Sequence, residues 1–344
     1  MTERVLVTGV TGFVGAAVAR AFHTAGYRVR ALVRDEARAR ALHDTGYETA
    51  LGDLAEPHSL PGALADCSFL AHVAADYRLF VTDPAPLYRV NVDGTLALMR
   101  AARSAGIQRI VYTSSVATIG HRDDGRPADE TARGRLEDMA GHYKRSKFLA
   151  EEAVRKFCAK TGLPTVIVNP SAPVGPGDVK PTPTGRMVLD AARGRMPAYL
   201  DTGLNIVHVD DVGEGHRLAL ERGESGERYI LGGENLALRE IFTRIAHLGG
   251  QRPPRIRLAP GPLVPIAWLA EALARLSHTT PRLTRDELAM ARHPMYYSSA
   301  RAEQRLGYTH RPAEAAFRDA LAWFAAAGQL RPDNAPGYTA HRSV

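Results

Sequence analysis

The run Arg4-Val5-Leu6-Val7-Thr8, broken by Gly9-Val10-Thr11-Gly12-Phe13-Val14-Gly15 and resumed as the helix-forming stretch Ala16 to Ala25, restricts the fold of this chain more than any other segment. Strand, glycine turn and helix in that order open a doubly wound parallel sheet, and in that setting the glycines form a phosphate site. Gly9 allows the tight turn, Gly12 lets the backbone approach a pyrophosphate, and Gly15 permits close helix packing, with the helix N-terminus facing the anion. The spacing, Gly-x-x-Gly-x-x-Gly, is one residue longer at the front than the common dinucleotide fingerprint, so a merely flexible turn stays open as the alternative.

Beyond the turn, strands and helices alternate, as in a Rossmann-type α/β fold. A second strand, Arg28 to Val33, ends in Val33-Arg34-Asp35. An acid there would receive the ribose hydroxyls of NAD, whereas an arginine accommodates a 2′-phosphate. With Val33 in the acid's place and Arg34 next, NADP is favoured over NAD, and Asp35 is the residue that could restore NAD. A third strand ends at Gly52-Asp53-Leu54, where Asp53 either meets the adenine edge or caps the following turn. A fourth, Cys67 to Ala75, runs into small residues, and the loop Asp76-Tyr77-Arg78-Leu79-Phe80 either overhangs the site or is held by its own aromatic packing. Tyr88 to Thr95, including Asn91, opens a long helix ending near Gly106. A fifth strand, Arg109 to Ser115, ends in hydroxyls, and a sixth, Pro164 to Pro170, carries Asn169. Ligands of such sheets sit at the carboxyl ends of the strands, which places Ser115 beside a substrate oxygen, with Ser114 as the alternative.

The Pro/Gly-rich stretch Pro170 to Gly185 interrupts this rhythm and predicts a boundary. The expected organisation is a nucleotide domain over 1–170 with a return segment over 205–222, a smaller, partly interleaved C-terminal substrate domain over 171–330, and a polar, flexible tail over 331–344. Later elements read as a helix over Arg186 to Arg193, a strand over Asn205 to Asp211, a helix over Val212 to Glu221, a strand over Arg228 to Leu231, and helices around 238–249 and 264–276. The apolar Pro265-Ile266-Ala267-Trp268-Leu269-Ala270 reads either as core or as the wall of a greasy site.

Between the fifth and sixth strands lies Gly141-His142-Tyr143-Lys144-Arg145-Ser146-Lys147, in a segment of helical spacing. Residues four apart share a helix face, so Lys147 can stand beside the Tyr143 hydroxyl. A nearby cation is expected to pull a phenol's pKa down from about 10, which makes Tyr143 a proton donor or acceptor at neutral pH.

Composition narrows the class. The chain has 344 residues, with 45% apolar and 24% charged residues, as in a globular protein large enough for one α/β domain and a companion. No apolar run reaches the length of a membrane span, and the first apolar strand begins at Val5, leaving no room for a secretory signal; a cytoplasmic protein is expected. Cys67 and Cys158 read as packed thiols, and no Cys/His spacing matches a metal site. The net charge of +7 comes from scattered basic residues, which fits solvated faces, or attraction to phosphorylated ligands or an anionic membrane surface; no nucleic-acid motif accompanies it.

Taken in order, Gly9-x-x-Gly12-x-x-Gly15, Asn91, Ser115, Tyr143-x-x-x-Lys147 and His208-Val209-Asp210-Asp211-Val212 resemble the extended short-chain dehydrogenases/reductases of the NAD-dependent epimerase/dehydratase family, over residues 3 to about 328. Within it, Ala74-Ala75-Asp76-Tyr77-Arg78-Leu79 and Lys180-Pro181-Thr182-Pro183-Thr184-Gly185-Arg186 resemble hopanoid-associated sugar epimerases, relatives of dihydroflavonol-4-reductase-like reductases. The resemblance implies that Tyr143 is the acid/base, that Lys147 tunes it and binds the nicotinamide ribose, and that Ser115 orients the reacting oxygen. It extends the cofactor contacts to Gly9, Thr11, Gly12, Phe13, Val14, Gly15, Arg34, Asp53, Leu54, Ala74, Ala75, Asn91, Thr113 and Pro170, with Tyr143 and Lys147. Pocket candidates are Asp76, Tyr77, Arg78, Ser115, Asn169, Lys180, Thr182, Arg186 and Tyr199; Arg193 and Arg195 could meet a diphosphate or belong to solvated faces, and His208 and Asp211 are expected to be structural. The family also implies a homodimer through the helices near 90–104 and 143–160. The expected activity is NADPH-dependent reduction of a carbonyl in hopanoid- or sugar-related metabolism. The alternatives are a sugar or sugar-nucleotide epimerase that oxidises transiently with bound NAD(P)+, and a non-catalytic NADP sensor.

Overall fold

In the computed structural model, which describes residues 3–78, 80–122, 124–277 and 284–334, the chain begins with β1 (Arg4–Thr8), α1 (Phe13–Thr24), β2 (Arg28–Val33), α2 (Glu36–Arg40), β3 (Glu48–Leu51), α3 (Leu60–Leu64) and β4 (Phe69–His72). It continues through α4 (Ala85–Tyr88), α5 (Thr95–Ser104), β5 (Arg109–Thr113), α6 (Gly141–Thr161) and β6 (Thr165–Pro170). Then come β7 (Ala172–Val174), α7 (Pro183–Ala192), β8 (Ala198–Leu200), β9 (Gly203–His208), α8 (Val209–Arg222), β10 (Arg228–Leu231), β11 (Glu234–Ala237) and α9 (Leu238–Leu248). The last elements are β12 (Ile256–Leu258), α10 (Pro260–Ser277), α11 (Arg285–Met290), α12 (Ala300–Leu306) and α13 (Ala313–Ala326). Two compact units result. The first comprises 1–171, 210–231 and 298–309; the second comprises 172–209, 232–297 and 310–344.

The first unit holds a seven-stranded sheet in the order β10-β6-β5-β4-β1-β2-β3, every pair parallel. Its central strands are apolar on both faces because helices cover both; β6 is buried along its whole length. Leu6, Leu70, Ile110, Tyr112 and Ile167 from the strands pack with Leu64, Leu98, Met99 and Val154 from the helices. Strand order reverses between β1 and β4, so the connections leaving their carboxyl ends run to opposite faces of the sheet and open a crevice there.

The second unit is built on the three-stranded sheet β11-β9-β7 and the pair β12-β8. Val188 and Leu189 of α7, Ile241 and Phe242 of α9, and Phe317 and Phe324 of α13 form its core. His208, at the end of β9, lies 3.2 Å from Asp319 Oδ2, a structural contact within this unit.

Four sequence expectations need correction. The long helix opened at Tyr88 is interrupted by a π turn over Arg89–Gly94. The strand through Asn205 ends at His208, and Val209, Asp210 and Asp211 already belong to α8; hence the first unit is re-entered at Asp210 and keeps the chain to Leu231. The third strand stops at Leu51, before Gly52-Asp53-Leu54. Finally, Pro265 to Ala270 is not core: only Ala267 there is buried, while Ile266, Trp268 and Leu269 are more than half exposed. Leu79 and the part of the expected tail from residue 335 onward lie outside the described residues. Among the described residues no helix is long and apolar enough to cross a membrane.

Candidate active site

The glycine turn is built by close approach. Gly9 has φ +76°, and Gly12 N donates to Gly9 O at 2.9 Å. A Cβ on Gly15 would stand 2.0 Å from Gly9 O, and one on Gly9 would stand 3.0 Å from the Ala74 backbone, so the turn folds onto α1 and onto the end of β4 only without side chains. Gly12 caps α1 without a side-chain hydrogen bond, which leaves the first amides of the helix open to an anion, with Thr11, Phe13 and Val14 around them.

A buried relay unforeseen from the sequence locks the two strands of the crevice together. Thr8 Oγ1 accepts from Val73 N (3.0 Å) and Ala74 N (2.9 Å) and lies 2.9 Å from His72 Nδ1, while His72 Nε2 lies 2.9 Å from Thr95 Oγ1. Since Thr8 Oγ1 already accepts twice, its proton goes to Nδ1, and the ring carries its own on Nε2. Burial lowers the His72 pKa to about 3, Lys147 adding to the effect, so the ring stays neutral. Ala75 follows directly in the same partly buried segment. The only hint in the sequence was a threonine and a histidine ending otherwise apolar strands.

At the end of β2, Arg34 is exposed and Asp35 is already engaged: it caps α2, accepting Arg38 N at 2.9 Å, and pairs with the Arg38 guanidinium. Asp53 caps the following turn, its Oδ1 accepting Ala55 N at 2.9 Å beside buried Leu54. Asn91 sits on the π turn with both amide hydrogens engaged, one on Asp76 O and one on Ser146 Oγ, each at 3.0 Å; its Oδ1 accepts Asp76 N at 2.7 Å. It therefore pins the loop after β4 to α6. On that loop Asp76 pairs with Arg78, and Tyr77 sets its ring edge on Tyr143, centroids 4.5 Å apart.

Lys147 is 4% exposed. Its Nζ donates to Thr113 O at 2.8 Å and lies 3.4 Å from Tyr112 Oη, 5.0 Å from that ring's centroid. Burial lowers its pKa to about 8 against the opposing charge of Glu151. Tyr143, one turn earlier on α6, is half-buried, and burial together with Tyr77 pushes its phenol up. The downward pull expected from Lys147 is thus not what dominates with the protein's own groups; the desolvation of a half-covered ring does. Thr113 carries Lys147 on its carbonyl, and its hydroxyl lies 2.8 Å from Nε2 of buried His216, so its side chain is taken up inside the unit.

Ser115 follows β5, partly exposed, its Oγ accepting Ala117 N at 3.1 Å; Ser114 Oγ is buried and has no partner among the described residues. Asn169 does not face a pocket. It is fully buried, donating to Ser115 O (3.0 Å) and Glu151 Oε2 (3.0 Å), and it props the serine from behind. Glu151 in turn pairs with Arg228 at 3.2 Å, a buried pair at the back of α6. Pro170, also buried, ends β6.

The remaining pocket candidates belong to the second unit. Lys180 and Arg186 are exposed and Tyr199 is half-buried on β8. Thr182 is an N-cap: its Oγ1 accepts Gly185 N at 3.1 Å and bonds Asp178 Oδ2 at 2.8 Å, so helix initiation explains it. Among the described residues no group of three or more His, Cys, Asp or Glu side chains is gathered that could hold a metal ion.

The residues of the first unit fit a dinucleotide. A cradle that a Cβ would fill, uncapped helix amides and an orphaned buried hydroxyl lie along the carboxyl ends of β1, β4 and β5. Comparison with known proteins agrees. A family model described as the NAD dependent epimerase/dehydratase family matches residues 5–232. The chain is 41% identical to a Synechocystis protein provisionally named dihydroflavonol 4-reductase, over 96% of this chain and 97% of that one. It is 36% identical to sterol demethylase protein B of Methylococcus capsulatus, over 94% of this chain and 99% of that one. Among solved structures, that of gox2253 is 50% identical, with a TM-score of 0.86, covering 96% of this chain and 100% of that one.

Proposed function

We propose that this chain, which belongs to the NAD dependent epimerase/dehydratase family and is an extended short-chain dehydrogenase/reductase, works as an NADPH-dependent reductase of a ring ketone or a related carbonyl. The observation that carries the reading is at the end of β2. Asp35 caps α2 and pairs with Arg38, so the acid that would hold ribose hydroxyls is committed elsewhere, while Arg34 stands exposed at the end of β2, where an arginine can accommodate a 2′-phosphate. NADP is kept largely reduced in cells, which suits net reduction.

The bound dinucleotide would supply the hydride; the chain does the rest. The Gly9 turn and the first amides of α1 would hold its pyrophosphate. Ser115 and Tyr143 polarise the substrate oxygen as negative charge develops on it. Tyr143 gives that oxygen its proton, and because burial holds the phenol in its protonated form, it is ready to donate. Lys147, fixed on Thr113 O, offers a cation to the phenolate left behind. The names of the two relatives, one for a flavonoid and one for a sterol, support a ring-borne carbonyl as the substrate class.

The test is to denature the purified protein, identify any released dinucleotide, and titrate the stripped chain with NADPH and NADH. NADPH should bind at least tenfold tighter, and Arg34→Ala should remove that preference while leaving NADH affinity within about twofold. Retention of tightly bound NAD+, with sugar epimers interconverting and no net consumption of nicotinamide, would replace this reading by the epimerase one that shares the same triad.

A further inference from the structure

Helix α10 is built inside out. Its inward side offers Ala267, Glu271 and Ala274, with Glu271 bound to the Arg285 backbone N at 2.6 Å and side chain at 2.9 Å. Five of its large apolar side chains are exposed: Val264 is 38% exposed, Ile266 57%, Trp268 60%, Leu269 56% and Leu273 56%. Pro262, Ile266, Leu269 and Leu273 follow the i, i+3, i+4 rows of a single helix face, and exposed Trp268 stands about 100° round the helix from Leu269. The second unit has a core without them. Isolated exposed leucines need no explanation, but a contiguous patch on one helix marks a surface that something covers.

Charge says what covers it. From Gln251 to Ala270 the sequence holds Arg252, Arg255 and Arg257 and no acid. All three arginines are exposed, as is Ile256 between two of them at 57%; Arg257 pairs with Asp201, leaving Arg252 and Arg255 as the net positive charge of the segment that leads into the helix. A second copy of the same stretch would offer those arginines no acid in return. An exposed apolar helix carrying a tryptophan and preceded by exposed arginines matches the acyl and headgroup layers of an anionic bilayer.

We propose that α10 docks flat on anionic phospholipid, with Ile266, Trp268, Leu269 and Leu273 in the acyl boundary and Arg252 and Arg255 at the headgroups. The surface is independent of the reductase reading, and its test needs no turnover. The chain has two tryptophans; Trp323→Phe leaves Trp268 alone to report. Vesicles of phosphatidylglycerol and phosphatidylcholine should shift its emission to the blue and carry the full chain down on sedimentation. Pure phosphatidylcholine, or 0.5 M salt, should reduce that binding at least tenfold, as should Ile266→Ser with Leu269→Ser, without change in circular dichroism. Should Trp323→Phe fail to fold, sedimentation of the unaltered chain decides by itself. No blue shift and no sedimentation with anionic vesicles would overturn the proposal. So would a dimer in analytical ultracentrifugation that Leu269→Ser abolishes while vesicles bind nothing, because the face would then belong to a second copy.

Discussion

Lys147→Met removes a buried ammonium and replaces it with a side chain of similar length, so it isolates the cost of holding that charge on α6. Burial lowers the Lys147 pKa from 10.5 to about 8. In the unfolded chain the group titrates near 10.4. Below pH 8 both states are protonated and the whole cost is present. Between pH 8 and about 10.4 the unfolded chain keeps a proton that the folded chain has released, so stability rises with pH by about 1.4 kcal/mol per unit, some 3 kcal/mol in all. Methionine escapes that cost but leaves Thr113 O without the donor now 2.8 Å away, a loss of about 1–3 kcal/mol. At pH 7 the two effects nearly cancel, and the two proteins should unfold within about 2 kcal/mol of each other. Wild type should then pull ahead as pH rises. Urea unfolding followed by far-ultraviolet circular dichroism at pH 7, 8, 9 and 10 measures the difference, which should grow by about 3 kcal/mol, while the variant lacks turnover at every pH. If the two stability profiles run parallel, Lys147 is not the desolvated cation described, and its role beside Tyr143 has to be abandoned.

Tyr143→Phe should lower turnover by about 10²–10⁴ while dinucleotide affinity changes less than twofold, read by stopped-flow and by fluorescence titration. Thr8→Val leaves Val73 N, Ala74 N and His72 Nδ1 without their shared partner and should destabilise the fold by about 2–4 kcal/mol in urea; a loss under 1 kcal/mol would show that the relay between β1 and β4 is incidental. Gly15→Ala sets a methyl 2.0 Å from Gly9 O and should abolish dinucleotide binding or prevent folding, whereas full retention of binding would mean the turn relaxes more than its packing suggests.

Much of the first unit could be read from pattern alone. β1, β2 and β10 are apolar runs bounded by glycine or charge, and each spans the residues expected of it. What escaped has physical causes. A single π turn, with i→i+5 bonds, is too short to leave a recognisable pattern of residue types, so Arg89–Gly94 looked like ordinary helix. Val209 extends an apolar strand and starts a helix equally well, and only tertiary packing ends β9 at His208. Asn169 stands in a strand covered on both faces, where no polar face exists to receive it, so a position at a strand end did not mean exposure to a pocket. Thr182 before Pro183 carried a helix-start signature that could have marked it as a cap. An apolar stretch such as Pro265 to Ala270 shows that a greasy surface exists; it does not say on which side the protein ends.

The end of β2 also bears on how freely a chain of this kind can drift between coenzymes. Val33 is 2% exposed, inside the sheet, so an aspartate introduced there begins its history as a buried carboxylate. Asp35 cannot be borrowed instead without uncapping α2 and releasing Arg38. A change of coenzyme through residue 33 or 35 therefore carries a stability cost that sits in strand burial and a helix cap, apart from any contact with the ligand.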